Sequence, residues 1–395
     1  MTQSVPRHLP TSRRRTAPDN PHVPTIGAQV PGGFVLNASI HYRRSVASAA
    51  LLVSVAIALA GCGNAEPTLS PSSRPAITPA PTPVPTATPR PTPQLVKTVT
   101  LVASVTEPKA ATPGGLTWAG IQSVATRIGA KSSYVEIAPD ADMAPALETA
   151  AAGDAAVVVT VGPEASVAVA GAAAAHPATQ FLEIGVVLPE GAPANVHGLV
   201  FDEAQAGYLA GFVAAAYATT GKIGMVGDVA ADATTVNYGA GFKAGAAQAG
   251  AATTVSILAA GSSNAPETGR TTAATLFKGG STVILAMPSL TGIGAMRDAC
   301  GRKAMLVAVE SDAWLTVPDV KPCLITSVLA RYDAAVSSAV QALAGAKTLP
   351  RLVIMDVASG GMSLSELHIA APAGFQTKLD AVLATLAGAA HSTAP

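Results

Sequence analysis

Short apolar, β-branched runs recur along the chain at residues 99–105, 155–161, 181–187, 222–226, 254–258, 282–287, 305–309 and 324–328. Between many of them lie alanine-rich stretches with apolar positions at helical spacing, over residues 203–219, 236–250, 268–277 and 292–302. Strand, helix, strand at intervals of roughly 20 to 30 residues predicts βαβ units and parallel sheets with helices on both faces. The strand runs are continuously rather than alternately apolar, as sheets covered on both sides require. The fold class is α/β.

The first part of the chain breaks this pattern. An apolar run over residues 46–60 follows Arg43 and Arg44 and ends in Leu59, Ala60, Gly61 and Cys62. A cationic edge, an apolar stretch of this length and small residues before a cysteine read as a secretory signal whose cleavage leaves Cys62 as a lipid-modified N-terminus. A transmembrane helix is the competing reading, but a span needs about 20 residues and this run falls short. Residues 1–45 are rich in Arg and Pro, show no periodicity and are set apart from the fold. Over residues 65–94 Pro, Thr, Ser and Ala dominate, with proline at 79, 81, 83, 85, 89, 91 and 93. Such a segment buries too little apolar surface to offset its ordering entropy and stays extended as polyproline II, at about 3.1 Å per residue. The expectation is a leader and signal over 1–61, a lipidated linker over 62–95, and a folded remainder tethered to the extracytoplasmic face of the cell membrane.

With 24 basic and 24 acidic residues the formal net charge is zero, which removes the electrostatic footprint of a nucleic-acid binder. Aromatics make up only 4% while glycine is used 36 times, so helices are expected to pack closely through small side chains. Of the three cysteines, Cys300 lies near the end of a predicted helix and Cys323 opens a predicted strand. Both ends fall at the same edge of a parallel sheet, and in an oxidising compartment a disulfide between them is geometrically reasonable. No His or further Cys stands at ligand spacing, so no metal is expected.

Two glycine patterns invite a nucleotide reading. Gly239, Gly241 and their neighbours fit a dinucleotide fingerprint but sit a dozen residues past the preceding strand, inside a predicted helix, where they cannot cradle a pyrophosphate. Gly292 and Gly294 follow a strand and open a helix, yet the third glycine position is Arg297 and the loop over 288–291 is too long for the tight turn. There is no nucleophile elbow, no His-Glu-x-x-His helix and no P-loop. His176 and His197 each stand at a strand edge without an acidic or nucleophilic neighbour in sequence. The chain is therefore expected to be no enzyme and to use no cofactor.

A denser signal begins at Val200, Phe201, Asp202 and Glu203 and runs through Gly207, Tyr208, Leu209, Ala210 and Gly211. It continues in Thr220, Gly221, Lys222, Ile223 and Gly224, and in Asn237, Tyr238, Gly239, Ala240, Gly241 and Phe242. Thr291 to Gly294, Glu310 to Asp312 and Thr326 to Val328 add further matches. This resembles the basic membrane protein (Bmp) family of substrate-binding lipoproteins, many of which bind purine nucleosides for ABC importers. The resemblance spans most of 99–353. It implies a two-lobed type I periplasmic binding protein, each lobe a parallel sheet with helices on both faces and a ligand cleft between them. Lobe 1 would take residues 96–200 and 330–395, including the C-terminal helix near Phe375, and lobe 2 residues 201–329.

The resemblance also implies site residues. Tyr238 falls on a position where the family stacks the base, and a tyrosine offers a flat apolar face with a polar tip. Glu310, or Asp312 two steps on, aligns with the acidic residue that holds the ribose, and either carboxylate accepts hydrogen bonds from hydroxyls. Glu164 stands loosely for the carboxylate that reads the base. The opposite aromatic is missing: Ala110, Ala111, Thr112, Pro113 and Gly114 replace the expected segment, although Trp118 and Gly120 keep the family spacing. Where a lysine is expected after Thr326 and Ser327 the chain has Ala330, with Arg331 adjacent. Gly292 ends a loop at a strand's carboxyl end, where ligands of open α/β sheets sit. The implied partners are a small polar solute, a nucleoside among them, an ABC permease, and the membrane through the lipid anchor. The alternative function is a surface-tethered sensor or scaffold whose cleft has decayed and which binds a protein.

Overall fold

A computed structural model describes residues 96–103, 112–138, 141–153, 156–250 and 252–388. The signal run, Cys62 and the proline-rich segment lie outside the described residues. The first lobe contains β1 (Thr98–Ala103), α1 (Pro113–Ile128), β2 (Lys131–Glu136), α2 (Ala144–Ala151), β3 (Ala156–Val161), α3 (Ser166–Ala175), β4 (Gln180–Ile184) and β5 (Val196–Phe201). The chain then crosses into α4 (Glu203–Tyr217), β6 (Lys222–Gly227), α5 (Ala233–Ala249), β7 (Thr254–Ala259), α6 (Pro266–Lys278), β8 (Val283–Ala286), α7 (Leu290–Gly301), β9 (Met305–Glu310), α8 (Ala313–Thr316) and β10 (Leu324–Ala330). It returns through α9 (Tyr332–Ala344) and β11 (Leu352–Met355), and ends with β12 (Met362–Leu364) and α10 (Phe375–Gly388).

The strands form two six-stranded sheets, ordered β11-β5-β4-β3-β1-β2 and β12-β10-β9-β8-β6-β7. Every pairing is parallel except β10 with β12. Side chains alternate across a strand, yet both faces are buried. Val283 and Leu285 join the core under α4 and α5, while Ile284 and Ala286 join a second core under α6 and α7. In the first lobe Val157 and Val159 face α1 and α9, and Val158 faces α2 and α3. This double burial is why the strand runs read as unbroken apolar stretches.

Several expectations need revision. The run over 181–187 leaves the sheet at Ile184, where Gly185 takes a left-handed φ of 81°. Besides β11 and the short β12, two strands, β2 and β5, lie outside the expected runs. In β2 the sequence Lys-Ser-Ser-Tyr-Val-Glu is mostly exposed at a sheet edge, and β5 carries His197 and Gly198 within its run. The buried His197 ring is held by the Pro350 carbonyl (Nδ1, 3.0 Å) and the Gln180 side chain (Nε2, 3.0 Å), and burial lowers its pKa against the pull of the Pro350 bond. The C-terminal helix was assigned to the first lobe, but α10 packs on the second. Phe375 stacks on Phe212 at 5.8 Å and meets Tyr217 edge-on at 5.5 Å, with Leu379 and Val382 in the same core. The apolar face of α10 packs against Phe212 and Tyr217 of α4. Cys300 and Cys323 are joined as a disulfide with Cα atoms 5.4 Å apart, tying the end of α7 to the start of β10.

Glycine sets the spacing of α4 and α5. A Cβ at Gly207 would collide with the carbonyl oxygen of Tyr238, and one at Gly211 with that of Phe242. From the other side, Gly241 faces the Ala204 carbonyl and Gly245 that of Tyr208. The two helices therefore touch backbone to backbone along a Gly-x-x-x-Gly stripe on each. The fingerprint-like glycines of α5 are packing positions.

Three segments cross between the lobes: β5 to α4, β10 to α9, and β11 to β12. They run side by side. Asp202 N donates to the Met355 carbonyl at 2.9 Å, Arg331 N to that of Gly361 at 2.8 Å, and Val357 N to the Gln205 side chain at 3.1 Å. The strands β5, β10 and β11 leave their sheets at their carboxyl ends, so the carboxyl edges of the two sheets face the same crossing point.

Candidate functional site

That edge-to-edge arrangement is where ligands of open α/β sheets bind, and the loops there define the site. In the second lobe β9 ends at Glu310, which adopts a φ of 70°. For a residue with a Cβ this backbone is strained, and such strain concentrates at functional sites. The turn directs the Glu310 side chain to the lobe junction, where its Oε1 accepts the Tyr332 hydroxyl at 2.5 Å. Tyr332 opens α9 in the first lobe and packs on Phe201 with ring centroids 4.7 Å apart. One hydrogen bond thus joins the two lobes beside the crossing strands. Burial raises the Glu310 carboxyl above the ordinary range; the Tyr332 bond opposes the shift and the nearby Glu203 charge adds to it.

Tyr238 lies beside this pair. The close approach of α4 and α5 places it in the core at 5% exposure, near both Glu310 and Glu203. Burial first, then those two charges, push its phenol well above the usual value. Its hydroxyl makes no hydrogen bond among the described residues. Glu203 is held on α5 by Thr234 Oγ1 (2.8 Å) and Asn237 Nδ2 (3.0 Å). At the end of β6, Asp228 accepts the Ser289 hydroxyl at 2.7 Å, and burial raises its pKa despite that bond. Ser289 in turn caps α7 by accepting Gly292 N at 2.9 Å. Asp312 caps α8 through Trp314 N at 3.1 Å and accepts Ser327 Oγ–H at 3.3 Å.

The structure brings Tyr238, Glu310 and Asp312 to one edge, and engages the other expected residues in local contacts. Gly292 is a close-packing position: a Cβ there would collide with the Met287 carbonyl. Thr112 caps α1 by accepting Gly115 N at 3.1 Å. Trp118 keeps the family spacing, yet its ring packs on Tyr134 of β2 with centroids 5.8 Å apart. Glu164 is exposed and its carboxylate folds back over Gly162, whose φ of 84° makes the turn after β3. Arg331 does not supply a free cation in place of the missing lysine, because Asp333 holds its guanidinium through two bonds of 2.9 and 2.7 Å. Tyr332, Glu203, Asp228 and Ser289 were not anticipated. Asp228 and Ser289 sit at strand carboxyl ends and were open to that rule; Tyr332 is visible only once the crossing is known.

Six large apolar side chains are exposed near the carboxyl ends of the strands among the described residues. Val167 and Val187 of the first lobe are 88% and 72% exposed, and Val229, Val236, Leu290 and Leu315 of the second are also open to solvent. All six follow the carboxyl end of a strand. In the second lobe the loops over 228–236, 287–292 and 310–316 contain four carboxylates, Asp228, Asp232, Glu310 and Asp312, and no Lys or Arg.

Residues 115–382 match the model of a family described as Bmp, ABC transporter substrate-binding protein PnrA-like. The chain belongs to the Bmp family. A search of curated proteins returned no match. Among solved structures, an ABC transporter system solute-binding protein from Conexibacter woesei is 21% identical, with a TM-score of 0.57 over 74% of this chain and 96% of that one. One from Aeropyrum pernix K1 is also 21% identical, with a TM-score of 0.54 over 73% of this chain and 85% of that one. A transcriptional activator of the comK gene from Bacillus halodurans is 14% identical, with a TM-score of 0.62 over 73% of this chain and 96% of that one. These likenesses fix a fold shared by transport and regulatory proteins. The Bmp match is what assigns this chain to ABC transporter substrate-binding proteins, with a small-molecule ligand and a permease as partner.

Proposed function

We propose that this Bmp protein is a lipid-anchored extracytoplasmic receptor whose cleft captures a neutral, donor-rich solute of nucleoside type. The observation that carries the reading is the Glu310–Tyr238 pair at the lobe junction: a carboxylate able to accept sugar hydroxyls beside a phenol ring able to face a base. Because Glu310 also receives the Tyr332 hydroxyl from the other lobe, a ligand that bonds to Glu310 acts on an interlobe contact. Differential contacts of that kind allow a ligand to shift an open–closed equilibrium, which a permease then reads. The anchor rests on the sequence around Cys62.

A thermal-shift screen of the purified chain against nucleosides, free bases, monosaccharides and amino acids tests the ligand class. A nucleoside at about 100 times its dissociation constant is expected to add roughly 2.7 kcal/mol of stability. Tyr238→Ala should lose that shift while Tyr238→Phe, which keeps the ring, retains most of it. A shift from amino acids or sugars and none from nucleosides rejects the nucleoside assignment. For the anchor, Cys62→Ser expressed in a bacterial host should move the chain from the membrane fraction to the soluble one; unchanged fractionation rejects lipidation at Cys62.

A further inference from the structure

In the solute proposed above, Glu310 takes the sugar and Tyr238 the face of the base, and neither reads the edge of the base. Glu164, the residue expected to do so, folds back over Gly162. The carboxyl edge of the second sheet supplies another carboxylate. β6, β8 and β9 are neighbours there, and Val226, Ala286 and Ala308 pair across them in one row. Asp228 and Glu310 each stand two residues beyond that row, so they end at the same level with β8 between them. Two strand spacings set their backbones about 10 Å apart, the scale of a sugar and a base laid end to end. Tyr238 belongs to α5, the helix that follows the Asp228 loop.

Asp228 is half-buried, and its Oδ1 accepts the Ser289 hydroxyl at 2.7 Å. Ser289 is itself fixed, because its oxygen accepts Gly292 N at 2.9 Å at the start of α7. The second carboxylate oxygen, Oδ2, has no partner among the described residues. Asp232, four residues on, is fully engaged: it accepts Thr235 N at 2.6 Å, the Thr235 hydroxyl at 3.2 Å and Val229 N at 3.3 Å. Asp312 follows Glu310 on the same strand end and belongs to the sugar side. Val229 and Leu290, the residues after Asp228 and Ser289, are 42% and 53% exposed and put apolar side chains next to this pair.

We propose that Asp228 is a specificity-determining residue that reads the base through an exocyclic amino group, so that the receptor selects amino-bearing nucleosides over analogues lacking the amine. This rests on the nucleoside reading of the cleft. An ionised carboxylate only accepts hydrogen bonds. A base that presents N–H to Oδ2 satisfies it, whereas a ring C–H or a carbonyl at that place leaves a half-buried acceptor unpaired. Sites built to hydrogen-bond a polar group reject the analogue without it far more strongly than apolar pockets reject a missing methylene.

Titration calorimetry of the full chain tests this with three pairs: adenosine with purine riboside, guanosine with inosine, and cytidine with the analogue that lacks its amino group. In the wild type at least one amino nucleoside should bind roughly tenfold or more tightly than its partner, since the bond is made to a charged acceptor. Asp228→Asn keeps the size and can still accept the Ser289 hydroxyl, but it offers the base a donor, so the preference should vanish or invert. Asp228→Ala offers neither donor nor acceptor and should bring the pair to parity. Both variants should keep the melting temperature of the unliganded wild type, and the wild-type ratio needs no variant to fold. Nucleosides that bind equally within every pair, or a preference unchanged in either variant, would overturn the role of Asp228 and leave the nucleoside receptor standing. Binding of no nucleoside at all would remove both.

Discussion

The double substitution Gly241→Ala/Gly245→Ala is expected to destabilise the protein by about 4 kcal/mol, or to abolish soluble expression, although alanine is the better helix former. Propensity favours alanine by up to about 1 kcal/mol per site. Against this, each added methyl would have to occupy space already held by a backbone carbonyl, of Ala204 and of Tyr208. A side chain can rotate away from such a clash, but a helix backbone cannot, so α4 and α5 must separate along their length. Overpacking of this kind costs about 1–3 kcal/mol per site and sometimes more. Separation would also pull Tyr238 on α5 away from Glu310, and Thr234 and Asn237 away from Glu203, so any surviving protein should bind its solute weakly. The control is Gly171→Ala in α3, where an added Cβ meets nothing within 4 Å; it should be neutral or stabilising by up to about 1 kcal/mol. Chemical denaturation of the three proteins checks both. Wild-type stability in the double variant would mean that α4 and α5 do not touch through their glycines.

The same glycines mark how far the sequence could be read. Their number and the scarcity of aromatics announced close helix packing, yet the stripe on α5 could not be paired with its mate on α4 without the fold. The α/β class followed from unbroken apolar runs such as Val283, Ile284 and Leu285, because both faces of each strand are buried. Where a strand is half exposed or interrupted, as in β2 with its serines and β5 with His197, that signal fails. Of the candidate site, the resemblance pointed to Glu310 and Tyr238, which the fold places side by side. Tyr332 was not, since it reaches Glu310 only by returning to the first lobe through α9. Trp118 pointed elsewhere: its spacing fits the family, but the half-buried indole packs on Tyr134. The side on which α10 packs was hidden because a helix's apolar stripe does not say which sheet it will cover.

Glu310→Gln is expected to separate stability from binding. The glutamine carbonyl can still accept the Tyr332 hydroxyl, so the bond between the lobes survives, while the negative charge beside Glu203 and Tyr238 is removed. In the folded wild type burial raises the Glu310 carboxyl above the ordinary glutamate range. The folded state therefore binds that proton more tightly than the unfolded chain. Its stabilising contribution is fully present below the ordinary glutamate range and is lost as the pH rises through the raised value. Above that range the wild type carries a crowded, poorly compensated charge that glutamine lacks. The variant should match or exceed the wild type in melting temperature at neutral pH, and the gap should close as the pH falls into the carboxylate range. Binding should move the other way. Hydrogen bonds to a charged acceptor contribute about 1.5–3 kcal/mol, so a solute that donates to Glu310 should bind roughly 10- to 150-fold more weakly, as titration calorimetry would measure. A variant that is less stable at neutral pH and binds unchanged would show that Glu310 serves the interlobe bond alone, and would move the solute to the Asp228 and Ser289 side of the cleft.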